Sequence, residues 1–215
     1  MTDGKFPILA REGWTHVAIV FGAAAAVHYF AGWSWALPLW VVTMFVVQFF
    51  RDPPRTVPVV ARAVVAPADG RVIALGEVFD PYLKRQAKRI SIFMNVFNVH
   101  SNRSPVAGKV MQRWYQRGAF LNAAFDKASE QNERNALWVR TDDGQDVVVV
   151  QVAGLIARRI LCYVDREERV AQGQRYGFIR FGSRVDVYLP LASQFKVALG
   201  DKPSAAADVI AILNR

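Results

Sequence analysis

A glycine and a serine stand between two β-forming runs in Tyr176-Gly177-Phe178-Ile179-Arg180-Phe181-Gly182-Ser183-Arg184-Val185-Asp186-Val187-Tyr188-Leu189-Pro190. Phe178 and Ile179 lie before the step, and Val185, Val187 and Leu189 alternate after it, as in a strand with one apolar face. Glycine at 182 has no Cβ and lets the backbone bend where a branched residue would not. Its carbonyl is open to the Ser183 hydroxyl, and attack there shifts the bond from amide to ester. The plainer reading is a glycine bulge with Ser183 as a turn residue, and a bare Gly-Ser pair favours it. Two further residues bear on the choice. Asp69 sits in the tight turn of Ala66-Pro67-Ala68-Asp69-Gly70-Arg71-Val72, and His100 ends an apolar run in Phe93-Met94-Asn95-Val96-Phe97-Asn98-Val99-His100. Singly, Asp69 reads as a turn former and His100 as a core residue. With Ser183 they supply an acid, a base and a hydroxyl, an arrangement that geometry rather than order makes into a triad.

The elements that must position these residues begin with an apolar N-terminus. No Asp, Glu, Lys or Arg occurs from Gly13 to Phe50. Trp14 to Trp33 forms one apolar block and Trp35 to Phe50 a second, with turn signals at Gly32-Trp33-Ser34 and Pro38. A membrane-spanning helix needs about 20 apolar residues, so the first block qualifies and the second is slightly short. Trp14, Trp33, Trp35 and Trp40 resemble interfacial aromatics. The run is too long for a cleaved signal peptide and has no small-residue cleavage pattern. A membrane hairpin, spanning or re-entrant, fits better than a buried core hairpin. Lys5 and Arg11 precede it and Arg51, Arg55 and Arg62 follow it, which puts both ends in the cytoplasm. His16 and His28 then serve as packing residues of the membrane segment.

Residues 1–12 read as a tail, 13–50 as the membrane segment, 51–56 as a linker stiffened by Asp52-Pro53-Pro54-Arg55, and 57–215 as a catalytic domain. Short β-like runs fill that domain: Val57–Val65, Arg71–Phe79, Arg89–Val99, Gly108–Tyr115, Leu137–Thr141, Asp146–Val152 and Leu155–Val164. Asp69-Gly70, Asp80-Pro81, Ser104-Pro105 and Asp142-Asp143-Gly144 supply the turns. Only Ala119–Asn135 reads as partly helical. The fold class is mainly β, an antiparallel barrel or sandwich-hybrid-like catalytic domain behind an N-terminal α-helical membrane hairpin. Phe195 to Ile212, with its turn at Gly200-Asp201-Lys202-Pro203, resembles the hairpins of lipoyl and biotinyl carrier domains, but no lysine stands at the tip in the way a carrier needs.

Composition narrows the partners. The net charge is +9, which suits an anionic membrane face or a nucleic acid. No nucleic-acid-binding module surrounds the charges, and the run Lys84-Arg85-Gln86-Ala87-Lys88-Arg89 is either a solvated surface or a contact for anionic head groups. Cys162 is the one cysteine, so no internal disulfide forms, in keeping with a reducing compartment. Three histidines and one cysteine make a poor zinc site, and no metal is expected.

Four separated motifs together carry a resemblance: Pro67-Ala68-Asp69-Gly70, Phe97-Asn98-Val99-His100-Ser101-Asn102-Arg103-Ser104-Pro105, Asn132-Glu133-Arg134-Asn135 and Phe181-Gly182-Ser183-Arg184-Val185-Asp186. In this order they resemble the short bacterial branch of the phosphatidylserine decarboxylases, over essentially the whole chain. The resemblance implies self-cleavage between Gly182 and Ser183 into a large chain, 1–182, and a small chain, 183–215, which form a heterodimer and allow a higher oligomer. It implies that Ser183 attacks Gly182, that His100 takes the hydroxyl proton, and that Asp69 orients His100. β-Elimination then leaves dehydroalanine, which hydrolyses to a covalent pyruvoyl group and ammonia, with no external cofactor. The amine of phosphatidylserine forms a Schiff base with that group, carbon dioxide departs, and His100 is the implied proton donor before phosphatidylethanolamine is released. The sequence departs from the longer branch, which has His-x-x-His and Leu-Gly-Ser-Thr where this chain has Arg103 and Phe-Gly-Ser-Arg. Arg103 suits a phosphate or carboxylate, or a surface ion pair. Asn98, Glu133 and Arg134 are further candidate substrate contacts. A membrane-anchored serine hydrolase using Asp69, His100 and Ser183 stays open, although the chain has no Gly-x-Ser-x-Gly elbow around Ser183. So do a non-enzymatic membrane-tethered β adaptor or carrier, and a different serine phospholipid as substrate.

Overall fold

The computed structural model describes residues 7–120, 123, 131–154, 160–180 and 182–214. It divides into two compact units, Met1–Pro54 and Arg55–Arg215. The first is a pair of helices, α1 (Trp14–Ala31) and α2 (Trp33–Phe49). Gly32 breaks the chain between them at φ +86, a left-handed conformation that glycine adopts without a Cβ penalty. Pro38, read from sequence as a second turn signal, lies inside α2, where it removes one helix N–H without ending the helix. The base of the hairpin is tied by the Ala10 N–H donating to the Phe50 carbonyl at 2.8 Å and the Asp52 N–H donating to Ile8 at 2.6 Å. Phe21, Phe30, Trp35 and Met44 are exposed along the helices. The segment Arg11–Ala31, 21 residues, is long and apolar enough to cross a membrane, and Trp33–Phe49 is shorter.

The second unit is mainly β, as the alternating runs predict. Its strands are β1 (Ala63–Val65), β2 (Arg71–Asp80), β3 (Arg85–Met94), β4 (Ser101–Arg103), β5 (Gly108–Gln116), β6 (Arg134–Arg140), β7 (Asp146–Val152), β8 (Ile160–Cys162), β9 (Arg169–Val170), β10 (Arg175–Ile179), β11 (Ser183–Leu189), β12 (Gln194–Phe195) and β13 (Val209–Ile212). They form a seven-stranded sheet in the order β2-β3-β11-β7-β6-β5-β9 and two three-stranded sheets, β4-β10-β8 and β1-β13-β12. Every pairing between these strands is antiparallel. Among the described residues the sheets do not close into a barrel, and the sandwich-like half of the fold expectation is the one that fits. Ile90, Ile92, Met94, Val149, Val185, Val187 and Leu189 of the large sheet share one core with Val64, Tyr176, Ile179 and Ile210 of the small sheets.

Several bounds differ from the sequence reading. Val57–Val65 yields only β1, because Pro58 donates no ladder hydrogen bond and Arg62 turns at φ +56. The run Arg89–Val99 shifts upstream to β3, which starts four residues earlier and stops at Met94, where Asn95 opens a turn. The helix expected over 119–135 falls largely outside the described residues. Within it, Arg134 and Asn135 already belong to β6.

Strand β11 sits between β3 and β7, and all seven of its residues are buried. Its second face carries an ion pair: Arg184 Nε lies 2.8 Å from Asp186 Oδ1, each side chain 1% exposed. Arg184 also donates to the Ala123 carbonyl at 3.0 Å. Removing one member strands the other charge without water, which costs about 3–5 kcal/mol. Asp186→Ala is therefore expected to lower unfolding stability by that order in urea titrations of the detergent-solubilised protein. The double variant Arg184→Met/Asp186→Leu is expected to recover most of the loss.

Candidate functional site

Ser183 is the first residue of β11 and pairs with Met94, the last residue of β3. His100 stands immediately before β4, and its carbonyl accepts the Ile179 N–H at 3.3 Å. Ile179 ends β10, so only Arg180, Phe181 and Gly182 separate the strand bound at His100 from Ser183. The Asp69 turn joins the same corner from two sides. The Pro67 carbonyl accepts the Arg103 N–H at 2.9 Å, and Gly70 packs so closely on β3 that a Cβ there would stand 2.2 Å from the Phe93 oxygen. The three motifs singled out for chemistry thus lie on adjoining segments of one end of the fold.

The step itself combines two features. Gly182 has φ +57, a conformation in which an L-residue is strained, and no described residue comes within 4 Å of where its Cβ would be. Ser183 is fully buried, and its Oγ has no hydrogen-bond partner among the described residues. His100 is also fully buried, its ring centroid 6.3 Å from that of Phe178. The Asp69 carboxylate holds its turn: Oδ2 accepts from Arg55 at 2.7 Å and Oδ1 accepts from the Ala205 N–H at 2.7 Å.

The remaining sequence candidates are built into the surrounding framework. Asn98 Oδ1 accepts the Asn95 N–H at 2.8 Å and so closes the turn that precedes His100. Arg103, half-buried, donates to the Gly173 carbonyl at 3.3 Å. Glu133 accepts from the Tyr115 hydroxyl at 2.6 Å; burial first and this bond second push the tyrosine pKa up. Arg134 donates to Gln116 at 2.6 Å and lies in the cross-sheet row Arg134–Val152–Arg184. Burial pushes the Tyr82 hydroxyl up to about 12 against an opposing pull from Arg134. Burial likewise raises the Cys162 thiol, so the one cysteine stays protonated and offers no thiolate nucleophile at neutral pH.

Sequence reasoning missed a buried row of amides. Arg113 Nε donates to Asn135 Oδ1 at 2.9 Å, Asn135 Nδ2 to Gln151 Oε1 at 2.9 Å, and Gln151 Nε2 to Asn102 Oδ1 at 2.8 Å. All three amides are fully buried, and the row ties the large sheet to β4 two residues beyond His100. Their polar placement in otherwise apolar strands was the available signal. Gly154 was missed as well: a Cβ on it would stand 1.5 Å from the Gly182 carbonyl oxygen.

Comparisons with known proteins identify the family. A family model for phosphatidylserine decarboxylase matches residues 42–211. The chain is 62% identical over 205 residues to the phosphatidylserine decarboxylase proenzyme of Nitrosomonas europaea, with 95% of each chain covered. It is 62% identical over 207 residues to the proenzyme of the same name from Aromatoleum aromaticum, with 96% of each covered. It is 59% identical over 208 residues to that of Ralstonia nicotianae, with 97% of each covered. With the motifs gathered at one end of the β unit and a match that runs through nearly all of it, the chain belongs to the phosphatidylserine decarboxylase family.

Proposed function

We propose that this chain is a membrane-bound decarboxylase that acts on phosphatidylserine, using a pyruvoyl group made from its own Ser183. One observation carries the reading: a glycine at φ +57 precedes a fully buried serine whose hydroxyl has no partner among the described residues. An unsatisfied buried hydroxyl costs about 1–3 kcal/mol, which a turn residue gains nothing by keeping. It fits a residue that is consumed in making the prosthetic group. The relatives' printed name, proenzyme, agrees with processing.

In processing, Ser183 Oγ attacks the Gly182 carbonyl carbon, a C–O bond replaces the C–N bond, and the Ser183 nitrogen gains a proton. His100 takes the hydroxyl proton as general base, and Asp69 supports it through the turn whose Pro67 carbonyl holds the end of β4 at Arg103. Loss of the Ser183 α-proton expels the ester oxygen, leaving a carboxylate on Gly182 and dehydroalanine at 183. Water then replaces the nitrogen, which leaves as ammonia. The ketone held at position 183 would supply the electron sink for the pair released as carbon dioxide departs. His100 returns a proton to the substrate α-carbon. Arg103 and Arg134 are assigned to the head group's phosphate and carboxylate, and Asn98 and Glu133 complete that site.

The large and small chains stay together on this reading because residues 183–215 supply β11, β12 and β13, paired to β3, β7 and β1 of the large chain. The basic residues flanking the hairpin put both of its ends, and the catalytic unit, on the cytoplasmic side.

The intact mass of the purified protein tests the central step. Wild type is expected as two pieces divided between residues 182 and 183, the small one lacking a free amine and reducible by borohydride. Ser183→Ala is expected as one chain of 24.1 kDa. One uncut chain for both, after membrane insertion, would leave the hydrolase or adaptor readings instead. His100→Ala is expected to slow cleavage by about 10²–10⁴-fold in a pulse-chase, the usual contribution of a positioned base. An unchanged half-time would remove His100 from that step.

A further inference from the structure

We infer that Gly154 is a positioning residue for self-cleavage: its bare Cα leaves the space that the Gly182 carbonyl oxygen occupies when Ser183 attacks. The inference rests on the pyruvoyl reading above. Gly154 and Gly182 are glycines for opposite reasons. Gly182 needs its left-handed dihedral and has nothing among the described residues within 4 Å of a Cβ position. Gly154 is not among the positive-φ glycines, so its conformation alone permits a side chain. What forbids one is space. A Cβ on Gly154 would lie 1.5 Å from the Gly182 oxygen, 2.7 Å from its carbonyl carbon and 3.3 Å from Ala123 Cβ. The first two obstacles are backbone atoms of the bond to be cut, and no rotamer change moves them aside.

Gly154 is also held where it is. The preceding residue, Ala153, donates its N–H to the Glu133 carbonyl at 2.9 Å, and its own carbonyl accepts from Asn132 Nδ2 at 2.7 Å. Asn132 and Ala153 are both fully buried. The peptide leading into Gly154 is therefore pinned at both of its neighbouring polar groups, and a new side chain displaces the Gly182 carbonyl rather than Gly154. This gives the Asn132-Glu133 pair a task that needs no substrate contact: it fixes the wall against which the reacting carbonyl rests. As Ser183 Oγ bonds to the carbonyl carbon, the π pair moves onto that oxygen. The oxygen returns the pair when the C–N bond breaks and nitrogen takes the proton. Turning the carbonyl away from this wall takes the carbon out of line with Oγ.

The test is Gly154→Ala in the full-length protein in membranes. A misplacement of about 1 Å costs on the order of 10²-fold in a positioned reaction, so the half-time of cleavage is expected to lengthen by that factor or more. Its melting temperature is expected to match that of uncut Ser183→Ala. Hydroxylamine, which cuts esters, is expected to trap a fragment beginning at the Ser183 amine from pulse-labelled wild type, and none from Gly154→Ala. A purely structural role would lower the melting temperature, which positioning does not require. Ester trapping or cleavage at the wild-type rate in Gly154→Ala overturns the inference while leaving the pyruvoyl reading intact. A wild-type protein that is never divided at 182/183 overturns that reading itself. Should Gly154→Ala not fold, a crystal structure of the Ser183→Ala precursor decides. The Gly182 oxygen is expected against the Gly154 Cα, and a carbonyl turned elsewhere overturns the inference.

Discussion

Strand β11 is hydrogen-bonded along both edges, and the chemistry proposed for its first residue depends on that. Ser183 through Leu189 face β3 on one side, and Arg184 through Tyr188 face β7 on the other. A slip of one residue would move Val185, Val187 and Leu189 out of the main core and put Arg184 and Asp186 into it. The register opposite Met94 is therefore fixed by burial along the whole strand, and the Ser183 hydroxyl inherits that precision. A reactive group carried on the end of a central strand is held more tightly than one carried on a loop.

The polar residues buried around this strand fit the same purpose better than they fit stability. A buried ion pair such as Arg184–Asp186 is often no better than two apolar residues of the same volume. It does disfavour the wrong register, since a slip of one residue would carry both charges into the apolar main core. The Asn135–Gln151–Asn102 row works across sheets instead of along a strand. It bonds the middle of the large sheet to β4, and β4 carries His100 at its entrance. Gly177 shows how tightly that row is fitted: a Cβ there would stand 2.5 Å from Gln151 Nε2.

What the sequence made legible was local. Period-two alternation located the strands of the large sheet other than β9, and the span Asp146–Val152 matches β7 residue for residue because charge and turn signals bracket it. Gly182, Ser183, His100 and Asp69 stood out because their residue types are rare or reactive in such settings. What stayed hidden depended on partners distant in the chain. Val-Ala-Gly-Leu around Gly154 carries no signal, because the reason for the glycine is an oxygen twenty-eight residues away, at Gly182. Arg184 and Asp186 show strand spacing, yet only the opposed strands reveal that both are buried. Residues 57–62 misled in the other direction, since the β-prone side chains of Val57, Val59 and Val60 had no strand to pair with.

The position of the proposed cut follows from the same topology. β10 belongs to the small sheet with β4 and β8, and β11 to the large sheet, so residues 180–182 connect two sheets and not two partners in one ladder. Breaking Gly182–Ser183 therefore removes no strand pairing from either side. The close approach of Gly154 to Gly182 belongs to the folded chain, so on the proposed reading cleavage follows folding. Two chains produced in this way would share every pairing but no tether, and re-forming them from the unfolded state would be a concentration-dependent encounter. Folding first as one chain and cutting last would thus give a reactive centre whose geometry one continuous chain assembles and two chains then retain.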